Sequence, residues 1–313
     1  MKQSEDAVWD VSLSTMWAME NFSGLENFFA AARGMGFARQ ELNHQVNSTM
    51  LAGIDLNRYT ISSIHEPCPA DISMETLKAR DWVISAVDEG NRRQGVLSVK
   101  RSIDMAGGLG VKTLVVHPGN VDADRALEKE LRTLYKRGQA GSSQYLDVKG
   151  RLMAARTARS GPRLVAVQRS LVELLEYAAP YHVCLGLENR YHFLDIPSLD
   201  EMKTLLDLAA SDQLGFWYDV GHAHALDRLG FFPHEEWLKR YAGRIVGVHL
   251  HDTLGITDHD IPGNGEVDFE RIAPYLPTAA IHTLEVRPGS TPEQVKDGLR
   301  HLAHKGCIRR LPL

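Results

Sequence analysis

Leu214–His224 reads LGFWYDVGHAH. The run from Leu214 to Tyr218 is apolar almost without interruption, which fits a strand buried on both faces of a parallel sheet. Asp219 ends the run and does not belong to that pattern. The same design recurs along the chain. Val183–Glu188 (VCLGLE), Ile245–Leu250 (IVGVHL) and Ala280–Val286 (AIHTLEV) are short apolar runs with a His or Glu at or near the C-terminal end. Upstream, Ala7–Leu13, Phe37–Leu42, Tyr59–His65 and Val111–His117 supply four more. Helix-like stretches separate them, among them Leu25–Arg33 and a long one expected from about Met74 to Ala106. Eight strands alternating with helices, with no second composition regime, predict a closed parallel (β/α)₈ barrel, the TIM type, over residues 1–313 as one domain.

One segment breaks the rhythm. Residues 120–165 part the fourth strand from its apparent crossover helix. Val121–Ser170 carries eleven Lys and Arg against five Asp and Glu. We expect a helical insertion there, serving as a solvated helix pair, an oligomer contact, a lid or a surface that steers anions.

Bulk properties narrow the function. The chain has 313 residues, 43% of them hydrophobic and 24% charged, and a net charge of −5. That balance makes nucleic acid an unlikely partner without excluding it. The three cysteines, Cys68, Cys184 and Cys307, form no CxxC pair, which suits a reducing cytoplasm. Met1–Asp10 lacks the pattern of a signal peptide, and no apolar run approaches the roughly 20 residues of a membrane span.

In a barrel, all strand ends converge on one rim, where active sites lie. Glu188, Asp219, His249 and Glu285 end the fifth to eighth strands. Neighbouring strands lie about 5 Å apart, so four such side chains can share one centre. A lone acid at a strand end is commonly a helix cap; four on consecutive strands form a hard-to-borderline ligand set suited to Mn²⁺, Mg²⁺, Zn²⁺ or Co²⁺. His65, His117, His222 and His259 are further ligands or substrate hydrogen-bonders. Arg190 and Arg287 each follow a ligand Glu by two residues and share its face if the backbone is extended, where they would grip a substrate anion or pair with a rim acid. Trp17 and Phe193 would stack on a sugar face or simply pack. Glu41 would contact substrate or support a histidine ligand.

These residues resemble a known family. The order SIHEP at His65, VVHPG at His117, LEN at Glu188, YDVGH at Asp219 and His222, HLHD at His249 and Asp252, PGNGEVDF at Pro262–Phe269 and LEVRP at Glu285 looks like the xylose-isomerase-like TIM barrels. That superfamily includes sugar isomerases and epimerases and the endonuclease IV type of repair enzyme. The resemblance implies that Glu188, Asp219, His249 and Glu285 bind one catalytic divalent metal. In the epimerase branch it further implies that Glu188 and Glu285 act as acid and base, with His222 on the sugar. In the endonuclease branch it implies a second metal on His65, His117 and Glu188. A third would lie on His222, His259 and an Asp two residues before His259. That position here is Thr257, with Asp258 and Asp260 flanking the histidine.

The leading expectation is a divalent-metal-dependent isomerase or epimerase of a sugar or sugar phosphate, working by proton transfer or hydride shift, with a homo-oligomer as the expected partner state. The alternative is a multi-metal phosphodiesterase acting on abasic DNA.

Overall fold

The computed structural model describes residues 7–312. Its strands are β1 Ala7–Ser14, β2 Phe37–Leu42, β3 Ile61–His65, β4 Thr113–Val116, β5 Cys184–Glu188, β6 Leu214–Asp219, β7 Ile245–Leu250, β8 Asp252–Leu254, β9 Thr257–Asp260, β10 Ile281–Leu284 and β11 Arg310–Pro312. β1 to β7 and β10 pair in parallel, each with its neighbour. β10 returns to β1, with Ser12 opposite Thr283 and Leu13 opposite Leu284, so the sheet closes into an eight-stranded barrel. Closure removes both edges. β11 adds antiparallel to the start of β1, and β8 and β9 form a separate hairpin beyond β7.

Burial on both faces follows the two-residue period of the strand. In β6, Phe216 and Tyr218 face outward onto the surrounding helices. Phe216 stacks on Trp237, with ring centroids 5.8 Å apart, and lies 5.8 Å from Tyr241. Trp217 and Asp219 take the other face. The Trp217 indole fills the barrel beneath His249, 5.1 Å between centroids. It fits there because Gly247 on β7 has no side chain; a Cβ at that position would overlap the indole ring.

Two helical expectations change. The long helix drawn from Met74 to Ala106 is two helices, Met74–Ala79 and Glu89–Gly108. Between them, Asp81 takes a left-handed φ of 53°, and Asp88 caps the second helix by accepting from the Asn91 amide. The segment after β4 contains a helix at Arg125–Lys136 and then one helix of 36 residues, Ser143–Ala178. The crossover helix therefore starts at Ser143 rather than after Val165. Tyr145, Val148 and Leu152 from its first half join Leu131, Leu134, Phe193, Leu194, Leu226, Leu229 and Ile256 in a second apolar cluster. Arg156 ties this half to the loop after β5: its guanidinium donates to the Phe193 and Asp195 carbonyls and to the Glu201 carboxylate. No helix among the described residues is long and apolar enough to cross a membrane.

Gly247→Ala is expected to destabilise the barrel by about 1–3 kcal/mol, the usual cost of overpacking a filled core. A urea titration checks it; a variant with unchanged stability would show that Trp217 has room to move.

Candidate functional site

The strand ends deliver a dense polar cluster to one mouth of the barrel. Glu188 is the last residue of β5 and Asp219 the last of β6; His249 lies one residue before the end of β7, and Glu285 directly follows β10. Glu41 comes from β2, His65 ends β3 and His117 follows β4. Glu41, Glu188, Asp219 and His249 are fully buried, and Glu285 and His65 nearly so.

His249 is the hub. Its Nδ1 lies 2.9 Å from Glu188 Oε1, 3.1 Å from Glu285 Oε2 and 3.5 Å from Asp219 Oδ2. Its Nε2 lies 3.1 Å from Glu41 Oε1, and Glu41 also accepts from the Ser63 hydroxyl at 2.8 Å. Burial opposes charge on this imidazole, but Glu285 and Glu41 hold its pKa well above the usual histidine value. One ring nitrogen can offer one proton, and three carboxylates surround it. Such an excess of buried anions is costly unless a cation joins them.

The donor atoms fit a metal. Glu188, Asp219, His249 and Glu285 each offer an atom within 4.8 Å of the others'. With an ion on His249 Nδ1, the Nε2 proton would go to Glu41, the carboxylate–histidine support common at metal sites. Four further groups among the described residues meet the same distance condition: Glu41, His65, His249 and Glu285, and Asp219, His251, His259 and Glu285, which share members with the first, and two flanking groups, His65, His117 and Glu188, and His222, Asp258 and His259.

The first flanking group is tight. His65 Nε2 lies 2.5 Å from His117 Nε2, which lies 3.1 Å from Glu188 Oε2. His117 is held neutral by burial first and by the nearby Arg190 cation second, which push its pKa well below the usual value. The second group depends on the β8–β9 hairpin. His259 takes a left-handed φ of 58°, and its amide donates to His251 Nδ1 at 2.9 Å. His251 Nε2 therefore carries the proton and donates to Asp219 at 3.0 Å. This turns Asp258 toward His259 Nδ1 at 3.3 Å and His222 Nε2 at 3.7 Å. Asp260 turns the other way, onto Arg287 at 3.0 Å. Asp252 braces the hairpin's far side by accepting the amides of Thr253, Gly263 and Val267.

For three candidate substrate contacts the structure shows the packing or ion-pair alternative. Trp17 is buried, with its indole N–H bonded to the Ser290 carbonyl at 2.7 Å and its ring against Phe22 and Phe28. Phe193 stacks on Phe231 at 3.8 Å inside the second apolar cluster. Arg287 lies beyond the end of β10, so the even-spacing argument does not apply; it is half exposed and pairs with Asp260. Arg190 does enter the site, but it is buried against Glu188, with Nε 3.7 Å from Asp195. Glu41 is at the centre, on His249.

The sequence placed His251 beside the ligand set without a role and left His44 as a surface or core residue. The signal for His251 was the run HLHD, which sets a second imidazole two residues after His249. His44 stands 4.9 Å from His65, ring to ring. It follows β2 by two residues, and nothing in its surroundings in the sequence marks it.

Comparison with known proteins places the chain. The model of one family, described as xylose isomerase-like TIM barrel, matches residues 60–305. Among solved structures, a D-tagatose 3-epimerase-like protein superposes with a TM-score of 0.64 at 19% identity, covering 95% of this chain and 97% of the other. The 3-keto-D-glucoside 4-epimerase from E. coli gives 0.63 at 18% identity, over 94% and 99%. The IOLI protein with a bound zinc atom gives 0.59 at 15%, over 94% and 95%. These likenesses show the fold. No curated protein sequence matches the chain.

His222 gives the site a pH signature. Burial first of all lowers its pKa to about 4 against the carboxylate pull of Asp219. Unfolded, it would protonate near 6.5. Its contribution is therefore complete above pH 6.5 and lost as the pH falls toward 4. In chelator-treated protein, His222→Gln should flatten the fall in stability across that window by up to about 1.4 kcal/mol per pH unit. Thermal melts at pH 7.5, 6 and 5 check this; parallel curves for the two proteins would contradict it.

Proposed function

Because this chain belongs to the xylose isomerase-like TIM-barrel family, we propose that it is a divalent-metal-dependent isomerase or epimerase of a small keto sugar or sugar phosphate. The observation that carries the reading is the convergence of Glu188, Asp219, His249 and Glu285 within one buried mouth, with an excess of carboxylate over proton. Two of the similar folds carry epimerase names, and a third holds zinc, which supports the same reading.

Glu188, Asp219, His249 and Glu285 would hold the ion, of the Mn²⁺, Zn²⁺, Co²⁺ or Mg²⁺ type. When bound, it would supply Lewis acidity toward the adjacent oxygens of an open-chain keto sugar.

The chain's own residues do the rest. Glu188 and Glu285 each turn one oxygen toward His249 and the other away. The outer oxygen of Glu188 faces His117 and Arg190, and that of Glu285 faces Ser14 at 3.4 Å and His65 at 3.8 Å. Their strands, β5 and β10, stand three places apart around the barrel. Glu188 and Glu285 thus reach a substrate carbon from different sides. One carboxylate takes the proton beside the carbonyl, the C–H electron pair shifts toward the carbonyl oxygen, and the other carboxyl returns a proton to the opposite face. His222, with Nδ1 donating to the Asn189 carbonyl at 2.9 Å, keeps Nε2 free of a proton to accept from a sugar hydroxyl.

A second reading has one specific observation behind it. The flanking groups at His65–His117–Glu188 and His222–Asp258–His259 are the arrangement that a multi-metal phosphodiesterase would need.

Two experiments test the leading reading. Turnover of keto-hexoses, keto-pentoses and their phosphates in D₂O should place solvent deuterium on the epimerised carbon; turnover without deuterium would replace proton transfer by a hydride shift. Glu188→Gln should lower kcat at least about 10³-fold and strongly reduce metal content, since it removes both a ligand charge and the base. A variant that keeps both would sink the assignment. Cleavage of abasic DNA with no keto-sugar turnover would favour the second reading.

A further inference from the structure

The corner formed by His65, His117 and Glu188 offers three ligand atoms, yet a cation from the chain already stands at it. Arg190 is buried, and its Nη1 contacts Glu188 Oε2, the same oxygen that faces His117 Nε2 at 3.1 Å. Asp195 holds the guanidinium from behind, Oδ2 to Nε at 3.7 Å. A second ion bound at this corner would need Glu188 Oε2 for itself. It would have to approach a guanidinium that does not lose its proton in proteins and that burial shields poorly from other charges.

We propose that Arg190 is the resident cation of this corner and that its fixed charge keeps a second divalent ion out of it. The inference rests on the metal reading above. One built-in positive charge neutralises the outer oxygen of Glu188 while leaving the inner one for the ion beside His249. A one-metal centre suits carbonyl chemistry; a two-metal clamp suits phosphoester cleavage.

Asp195 makes the test practical. It keeps Lys78 at 3.4 Å and Arg125 at 3.6 Å when Arg190 is neutralised, so its carboxylate is not left buried and unpaired. The purified protein and the variants Arg190→Lys, Arg190→Gln and Arg190→Met are saturated with Zn²⁺ or Co²⁺, freed of excess ion and assayed for metal per chain. Circular dichroism confirms that each is folded. The unaltered protein and Arg190→Lys should hold one ion. Arg190→Gln and Arg190→Met should hold a second, and adding His117→Ala to either should return the count to one. A second ion in the unaltered protein that His117→Ala removes would overturn the proposal, even if no Arg190 variant folds. So would a folded Arg190→Gln or Arg190→Met that stays at one. An unaltered protein that takes up no ion at all would instead overturn the metal reading on which the proposal stands.

Discussion

Four carboxylates around one imidazole are the constraint on which this molecule turns. Glu41, Glu188, Asp219 and Glu285 approach His249 within 3.5 Å, all in a mouth closed to solvent. No packing benefit offsets burying that many like charges. The surroundings compensate in a graded way. Histidines at positions 65, 117, 222, 251 and 259 line the outer side of the acids, Arg190 touches Glu188, and Ser14 and Ser63 donate hydroxyls. A divalent ion at the centre completes the balance in our reading.

The fold exists to impose that geometry. A closed parallel barrel brings eight strand ends to one rim without an edge to protect, and the two-residue period decides which side chain enters. Trp217, seated against Gly247, forms the floor beneath His249, so the hub cannot sink into the core. The loops then tune the rim. The hairpin β8–β9 is tied at its open end by His251 and Asp252, and through His251 the backbone of His259 is locked to Asp219. The loop after β5 is gripped from outside by Arg156, which holds in place the segment containing Arg190 and Asp195.

The barrel and the central residues were legible because both follow from simple periodicity. Each strand is a short apolar run, and a polar residue at its end has no place in a core. What escaped was anything decided at longer range. The start of the crossover helix at Ser143 is set by packing of Tyr145, Val148 and Leu152 against a cluster drawn from four separate segments. The break after Ala79 depends on one aspartate in a left-handed conformation. Trp17, read as an aromatic that would stack on a sugar or simply pack, packs, and the carbonyl that receives its indole N–H, on Ser290, is far away in the chain. Arg287 was read from strand spacing that stops three residues earlier. The choice of Asp258 rather than Asp260 as the partner of His259 came from the hairpin, whose sequence carries no strand pattern.

The most direct test of the central claim is anomalous diffraction at a metal absorption edge from crystals grown with Mn²⁺ or Zn²⁺. Our account predicts one strong peak about 2.0–2.2 Å from carboxylate oxygens of Glu188, Asp219 and Glu285 and from Nδ1 of His249. A peak held by other residues, or no peak with His249 still hydrogen-bonded directly to Glu188 and Glu285, would contradict it.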